Sequence, residues 1–239
     1  MPAMLKGKSW ICPAKSFTPE AMQDTSREPL LNIPPLTKAL SLLLFTIFLA
    51  TNFFPAETQD FILRTVFVPA NLSWATAYTT LSYGLLHFGW PHIAMNGFGL
   101  IAFGSAVERI LGRKNYLLIF IGGVLMGSLG HWVLFPASTD PLGGASAGVS
   151  ALFGAVLPLI IRRPQLWMAN LVFILTNIVF GMIGPPSTDP LQDTGMSIAW
   201  QAHLFGFAFG EILSVLIIRF RMTQLKQRVP ETSQTSEEN

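Results

Sequence analysis

The chain has 239 residues, of which 51% are hydrophobic and only 12% charged, against about 25% charged in an ordinary soluble domain. The formal net charge of +2 gives no basis for a nucleic-acid partner, and the mean hydropathy of +0.48 excludes a soluble domain of usual composition. The single cysteine, Cys12, excludes an internal disulfide framework and any all-cysteine metal site.

Residues 1–35 are rich in proline and polar side chains and are expected to form a flexible cytoplasmic arm. No apolar run lies within the first 30 residues, so a cleaved signal peptide is not expected. A membrane domain follows over 36–221, with six predicted spans at 36–54, 81–107, 116–135, 145–161, 166–183 and 198–220. Each approaches the ~20 residues that cross a bilayer as helix. Backbone groups in lipid must be satisfied within the segment, which makes these runs helical and the fold class an all-α polytopic membrane protein. Between the first two spans, Phe61, Ile62, Leu63, Val66, Phe67 and Trp74 are too apolar for a free loop and are expected at the outer interface. The tail over 222–239, ending PETSQTSEEN, is expected to be a disordered cytoplasmic segment.

Basic residues set the orientation. With six spans and both termini inside, fourteen of the fifteen fall on the cytoplasmic side and only Arg64 lies outside. Adding or removing one span destroys that bias. No internal repeat suggests a transporter built of inverted halves.

Polar side chains within spans are costly and are functional candidates. Four stand out: His92 and Asn96 in the second span, Ser146 in the fourth and His203 in the sixth. These three spans run in the same direction, from outside to inside. Ser146 is then at the outer start of its helix, with His203 about 8 Å and His92 about 16 Å into theirs at 1.5 Å per residue. His92 and Asn96 are one turn apart on one face. Around Ser146, Gly143, Gly144, Ala145, Ala147 and Gly148 leave the backbone open to a peptide and allow a tight turn into the helix. Free N–H groups at a helix start can hold an oxyanion. A serine hydroxyl needs a neighbouring base, and His203 is the candidate. Gly206 and Gly210 form a small face that can pack on Ala147, Ala151 and Gly154 and bring base to nucleophile. Asp140, Asp189 and Asp193 all fall in predicted outer loops, so a dyad is expected rather than a triad. Other readings stay open on these residues alone. A membrane serine is usually structural, as Ser150 is expected to be, and a lone histidine can be a helix contact or a proton relay. GASAG also fits the nucleophile elbow of soluble hydrolases, but the flanks supply membrane helix where that motif needs a strand. No HExxH or comparable metal spacing exists, and neither a metal nor a cofactor is expected. His87 and His131 are expected to touch water at outer helix ends, and Glu108 with Arg109 reads as a structural charge pair.

HFGWPHIAMN at 87–96, GSAVERILG at 104–112, GGASAGVSALFG at 143–154 and AHLFGFAFG at 202–210 resemble, in order, the motifs of the rhomboid family of intramembrane serine proteases. The resemblance covers about residues 75–215. It implies a six-helix rhomboid-like core, with the serine helix starting below the membrane surface in a water-filled cavity and the fifth span serving as substrate gate. It also implies Ser146 as nucleophile, His203 as its base, and His92, Asn96 and the Ser146 N–H as oxyanion hole. The implied substrates are single-span or polytopic membrane proteins, cut in or near the outer part of a span. Three departures are visible. Ala147 stands where most members have glycine. Ser150 stands where some members set an aromatic ring against the histidine, so His203 must be held in another way. The Trp-Arg pair of the first outer loop is absent from ATAYTTLSYGLLH. The expected setting is a bacterial inner membrane. The rival function is an inert rhomboid-like scaffold or chaperone that binds transmembrane clients.

Overall fold

The computed structural model describes residues 32–160, 163–183 and 199–228. The expected N-terminal arm up to residue 31 and the end of the tail from 229 lie outside them, as do Asp189 and Asp193. Among the described residues the only extended pairing is one isolated bridge, and the rest of the regular structure is helical. Three helical segments, Pro35–Phe53, Arg113–Leu134 and Trp200–Leu225, are long and apolar enough to cross a membrane, and Ser146–Ile160 and Gln165–Val179 are shorter apolar helices. The molecule is an all-α polytopic membrane protein.

Helix α1 (Pro35–Phe53) starts on a proline, whose missing N–H costs nothing in a first turn. Its next donors are taken by a distant carboxylate. Leu36 N donates to Glu108 Oε1 at 3.1 Å, and Thr37 N and Oγ1 donate to Oε2 at 2.8 and 2.9 Å. Glu108 is buried, and Arg113 Nε stands 3.8 Å away. The carboxylate therefore caps α1 and meets the positive end of its dipole. This role is not readable from its neighbour Arg109 in sequence.

The stretch between the first two spans is a docked layer. It holds α2 (Pro55–Thr65) and the single turn α3 (Thr79–Ser82). Phe67 pairs with Leu142 through both backbone bonds, at 3.2 and 2.7 Å, and the Tyr83 carbonyl accepts Gly144 N at 2.9 Å. Tyr83 Oη reaches further in, to the Val124 carbonyl at 2.8 Å. These bonds anchor the loop without the Trp-Arg pair and tie it directly to the chain preceding Ser146.

The second predicted span is corrected at its start. Residues 81–89 are short turns and extended chain, because Gly89 adopts φ +96° and Pro91 opens a new helix. Helix α4 (Trp90–Gly99) then passes through a π turn over 100–104 into α5 (Ser105–Leu111). Helices α6 (Arg113–Leu134), α7 (Ser146–Ile160) and α8 (Arg163–Ile183) follow. The last, α9 (Trp200–Arg228), runs two turns past the predicted end of the sixth span, so 222–228 are helix rather than disordered tail.

The packed centre is α6, α7 and α9, joined by small residues. A methyl group at Gly206 would collide with the Ala147 carbonyl and one at Gly210 with the Ala151 carbonyl. From α6, Gly123 and Gly127 lie against the methyls of Ala151 and Ala147. Large side chains would force these backbones apart, so the glycines set the α7–α9 distance.

Candidate active site

Three short segments reach one end of the bundle. Ser146 is the first residue of α7, His203 the fourth of α9, and His92 the third of α4. His92 is thus nearer its helix start than expected, because 81–89 fold outside the helix. Gly144 takes φ +125°, which turns the chain sharply into α7. A Cβ there would lie 2.6 Å from His92 Nε2 and 3.8 Å from Ser146 Oγ, so the glycine leaves these two groups facing one space.

Ser146 Oγ lies 2.8 Å from His203 Nε2. The other ring nitrogen of His203, Nδ1, lies 2.8 Å from Asn177 Oδ1 on α8. The Asn177 amide is itself oriented, since its Nδ2 donates to the Phe173 carbonyl at 2.9 Å. Serine and histidine are both half-buried. The small residues behind them are more enclosed. Ala147, Gly206 and Gly210 are buried at the α7–α9 contact, and Gly148 faces Phe120 of α6, where an added Cβ would stand 2.7 Å from the ring.

The backbone at the serine has donors to spare. The first intrahelical bond of α7 is Val149 N to the Ala145 carbonyl at 3.0 Å, so the N–H groups of Ser146, Ala147 and Gly148 have no acceptor within the helix. Asn96 is buried, and its Nδ2 donates to the His92 carbonyl at 2.9 Å while Oδ1 has no hydrogen-bond partner. The amide keeps a second N–H. His92 Nδ1 accepts a long bond of 3.4 Å from Phe88 N, and its ring sits 5.1 Å from that of His87. His87 and His131 are corrected from water-facing to buried, at 4% and 8% exposure. Among the described residues no group of three or more His, Cys, Asp or Glu is placed to hold a metal ion.

Asn177 escapes a reading based on histidine and serine motifs. The available signal was its position, an amide in the middle of an apolar run, seven residues from another asparagine, Asn170.

A hydroxyl held against an imidazole nitrogen, beside backbone N–H groups without acceptors in the helix, is suited to attack a carbonyl and stabilise the resulting oxyanion. A family model described as a rhomboid domain matches residues 75–220, well over half of the chain. The chain belongs to the rhomboid family. It is 30% identical to the rhomboid-named protein YdcA of Bacillus subtilis over 155 residues, 63% of this chain and 70% of that one. It is 27% identical to the rhomboid protease GlpG of Pectobacterium atrosepticum over 184 residues, 75% of this chain and 62% of that protein. The match to the rhomboid protease GluP of Bacillus subtilis, 31% over 102 residues, spans 41% of this chain and a fifth of that longer protein. In this rhomboid the four motif segments lie on α4, α5, α7 and α9, and three of them contribute the side chains described above.

Proposed function

We propose that this rhomboid is an intramembrane serine endopeptidase that cleaves membrane protein substrates in or near the outer part of a span. The observation that carries the reading is the 2.8 Å contact between Ser146 Oγ and His203 Nε2 at the start of a membrane helix. In the proposed arrangement six spans cross with both termini cytoplasmic. Helix α7 has 15 residues, about 22 Å of helix against a hydrocarbon core of about 30 Å. A helix that reaches the inner interface and is this short begins below the outer surface. In this reading Ser146 lies where a transmembrane substrate can present a peptide bond and outer water can still enter. The membrane proposed is the bacterial inner membrane.

The steps follow from the groups present. His203 Nε2 accepts the Ser146 proton as Oγ bonds to the scissile carbonyl carbon. Negative charge on the carbonyl oxygen is met by the Ser146 N–H, the remaining Asn96 amide N–H and His92. The C–N bond then breaks, and His203 returns its proton to the departing amine. A water, deprotonated by His203, attacks the acyl carbon, and as the bond to Oγ breaks His203 gives that proton to Oγ, releasing a carboxylic acid product and restoring Ser146.

Labelling with a fluorophosphonate tests this reading without knowledge of the substrate. The native protein forms an adduct at Ser146, while S146A and H203A do not. A folded native protein that stays unlabelled over a range of pH favours the client-binding scaffold and contradicts the protease.

A further inference from the structure

Helices α8 and α9 meet along a ladder of three rungs. Asn170 Nδ2 donates to both oxygens of Glu211 at 3.0 and 2.9 Å. Phe173 stacks on Phe207, with ring centroids 4.2 Å apart and planes within 17°. Asn177 Oδ1 meets His203 Nδ1 at 2.8 Å. Positions 170, 173 and 177 share one face of α8, and 211, 207 and 203 share one face of α9. The residue numbers rise on one helix as they fall on the other, so the rungs lock a single antiparallel register. Elsewhere α8 is largely unpacked, with Leu171, Val172, Leu175 and Val179 exposed. The two amide rungs and the ring stack therefore fix where Asn177 stands.

That placement determines a proton. The Phe173 carbonyl can only accept, so the Asn177 amide must turn its NH2 towards it and its Oδ1 towards His203. The opposite amide orientation would set two oxygens against each other. An acceptor facing Nδ1 requires Nδ1 to carry the hydrogen. Nε2 then presents its lone pair to Ser146 Oγ, the only neutral tautomer in which the histidine can take the serine proton.

We infer that Asn177 is a positioning residue, which selects the Nδ1–H tautomer of His203 and holds the ring against Ser146 from the neighbouring helix. This rests on the assignment of His203 as base and adds a third, uncharged member to the pair. It also supplies the support for the ring that Ser150 cannot give. An amide orients the ring without an ionic charge to stabilise the imidazolium that forms during attack. Aspartate at 177 would accept the same bond and add that charge.

The test reads tautomer and rate separately. Nitrogen-15 NMR of histidine-labelled protein resolves the four imidazoles, and H203Q assigns the signal of His203. The expected native signal is Nδ1–H, lost or mixed in N177L, which keeps the volume and removes the acceptor. Fluorophosphonate labelling of N177L should slow by about 10–100-fold, by analogy with removing the hydrogen-bond partner that orients a metal-ligating histidine. N177D should recover much of that rate. Its acid limb should move to higher pH, because a carboxylate favours the protonated ring and more base is needed to free Nε2. A native Nε2–H tautomer overturns the inference, as does an N177L protein with native tautomer, rate and pH profile. The tautomer needs no turnover. A native Nδ1–H signal in a protein that never labels therefore supports the positioning role and contradicts the protease alone.

Discussion

Asn96 lies one turn beyond His92 and gives one amide hydrogen to the His92 carbonyl, leaving the other for an oxyanion. Replacing it by alanine removes that donor without touching Ser146 or His203. The expected cost is about 10–1000-fold in kcat, in the range of losing one oxyanion donor. KM should change little, because the bond strengthens only as charge develops. Steady-state cleavage by N96A checks this, and an unchanged kcat would remove Asn96 from the oxyanion hole. S146A and H203A should lose cleavage altogether. S146A should keep the melting temperature of the native protein, since its side chain is small and half-buried, while H203A also removes the rung to Asn177 and should melt slightly lower. At this scale the sequence was most legible where chemistry depends on rare residues. Ser146 among small residues and a lone His203 in an apolar run stand out by type. Asn177 does not, because a half-buried amide mid-span has many structural uses and its partner lies 26 residues away.

Helix contacts explain why the site is held at this spacing. Gly210 lies against the Ala151 carbonyl, whereas a Cβ at Gly97 on α4 would meet nothing within 4 Å. G210L should therefore lower stability by about 1–3 kcal/mol or more through overpacking, and labelling at Ser146 should fall with it as α7 and α9 separate. G97A should leave both near native. Thermal unfolding in detergent distinguishes the pair, and equal melting temperatures would contradict the close approach of α7 and α9. The small face of α9 was readable from the spacing of Gly206 and Gly210. The break of the second span at Gly89 was less so. Its apolar flanks LLHFGW continue the hydropathy of a helix, while the backbone turn is decided by one glycine and the proline two residues later. Glu108 illustrates the same limit from another direction. Its acceptors serve donors 71 and 72 residues away at the start of α1, a contact no local pattern encodes.

Across the whole molecule, the charge distribution makes the largest claim. Fourteen of fifteen basic residues fall on one side in the proposed six-span arrangement, which predicts the loop at Gly112 inside and the loop at Ser138 outside. Alkaline phosphatase fused after Ser138 should be active in a bacterial host, and a fusion after Gly112 should be inactive. The reverse pattern would invert the orientation and place the site at the cytoplasmic face. Overall architecture was legible because lipid demands apolar helices, and among the described residues three helices are long and apolar enough to cross a membrane. Helix ends were less legible, since the apolar run ends near Phe220 while α9 continues as helix to Arg228. The central claim is that these helices carry a working serine protease, and reconstitution tests it most directly. Purified protein is placed in liposomes with a model single-span substrate, with S146A in parallel. Cleavage by the native protein and none by S146A is the predicted result. Equal cleavage by both, or none by a folded native protein across several substrates, would contradict it.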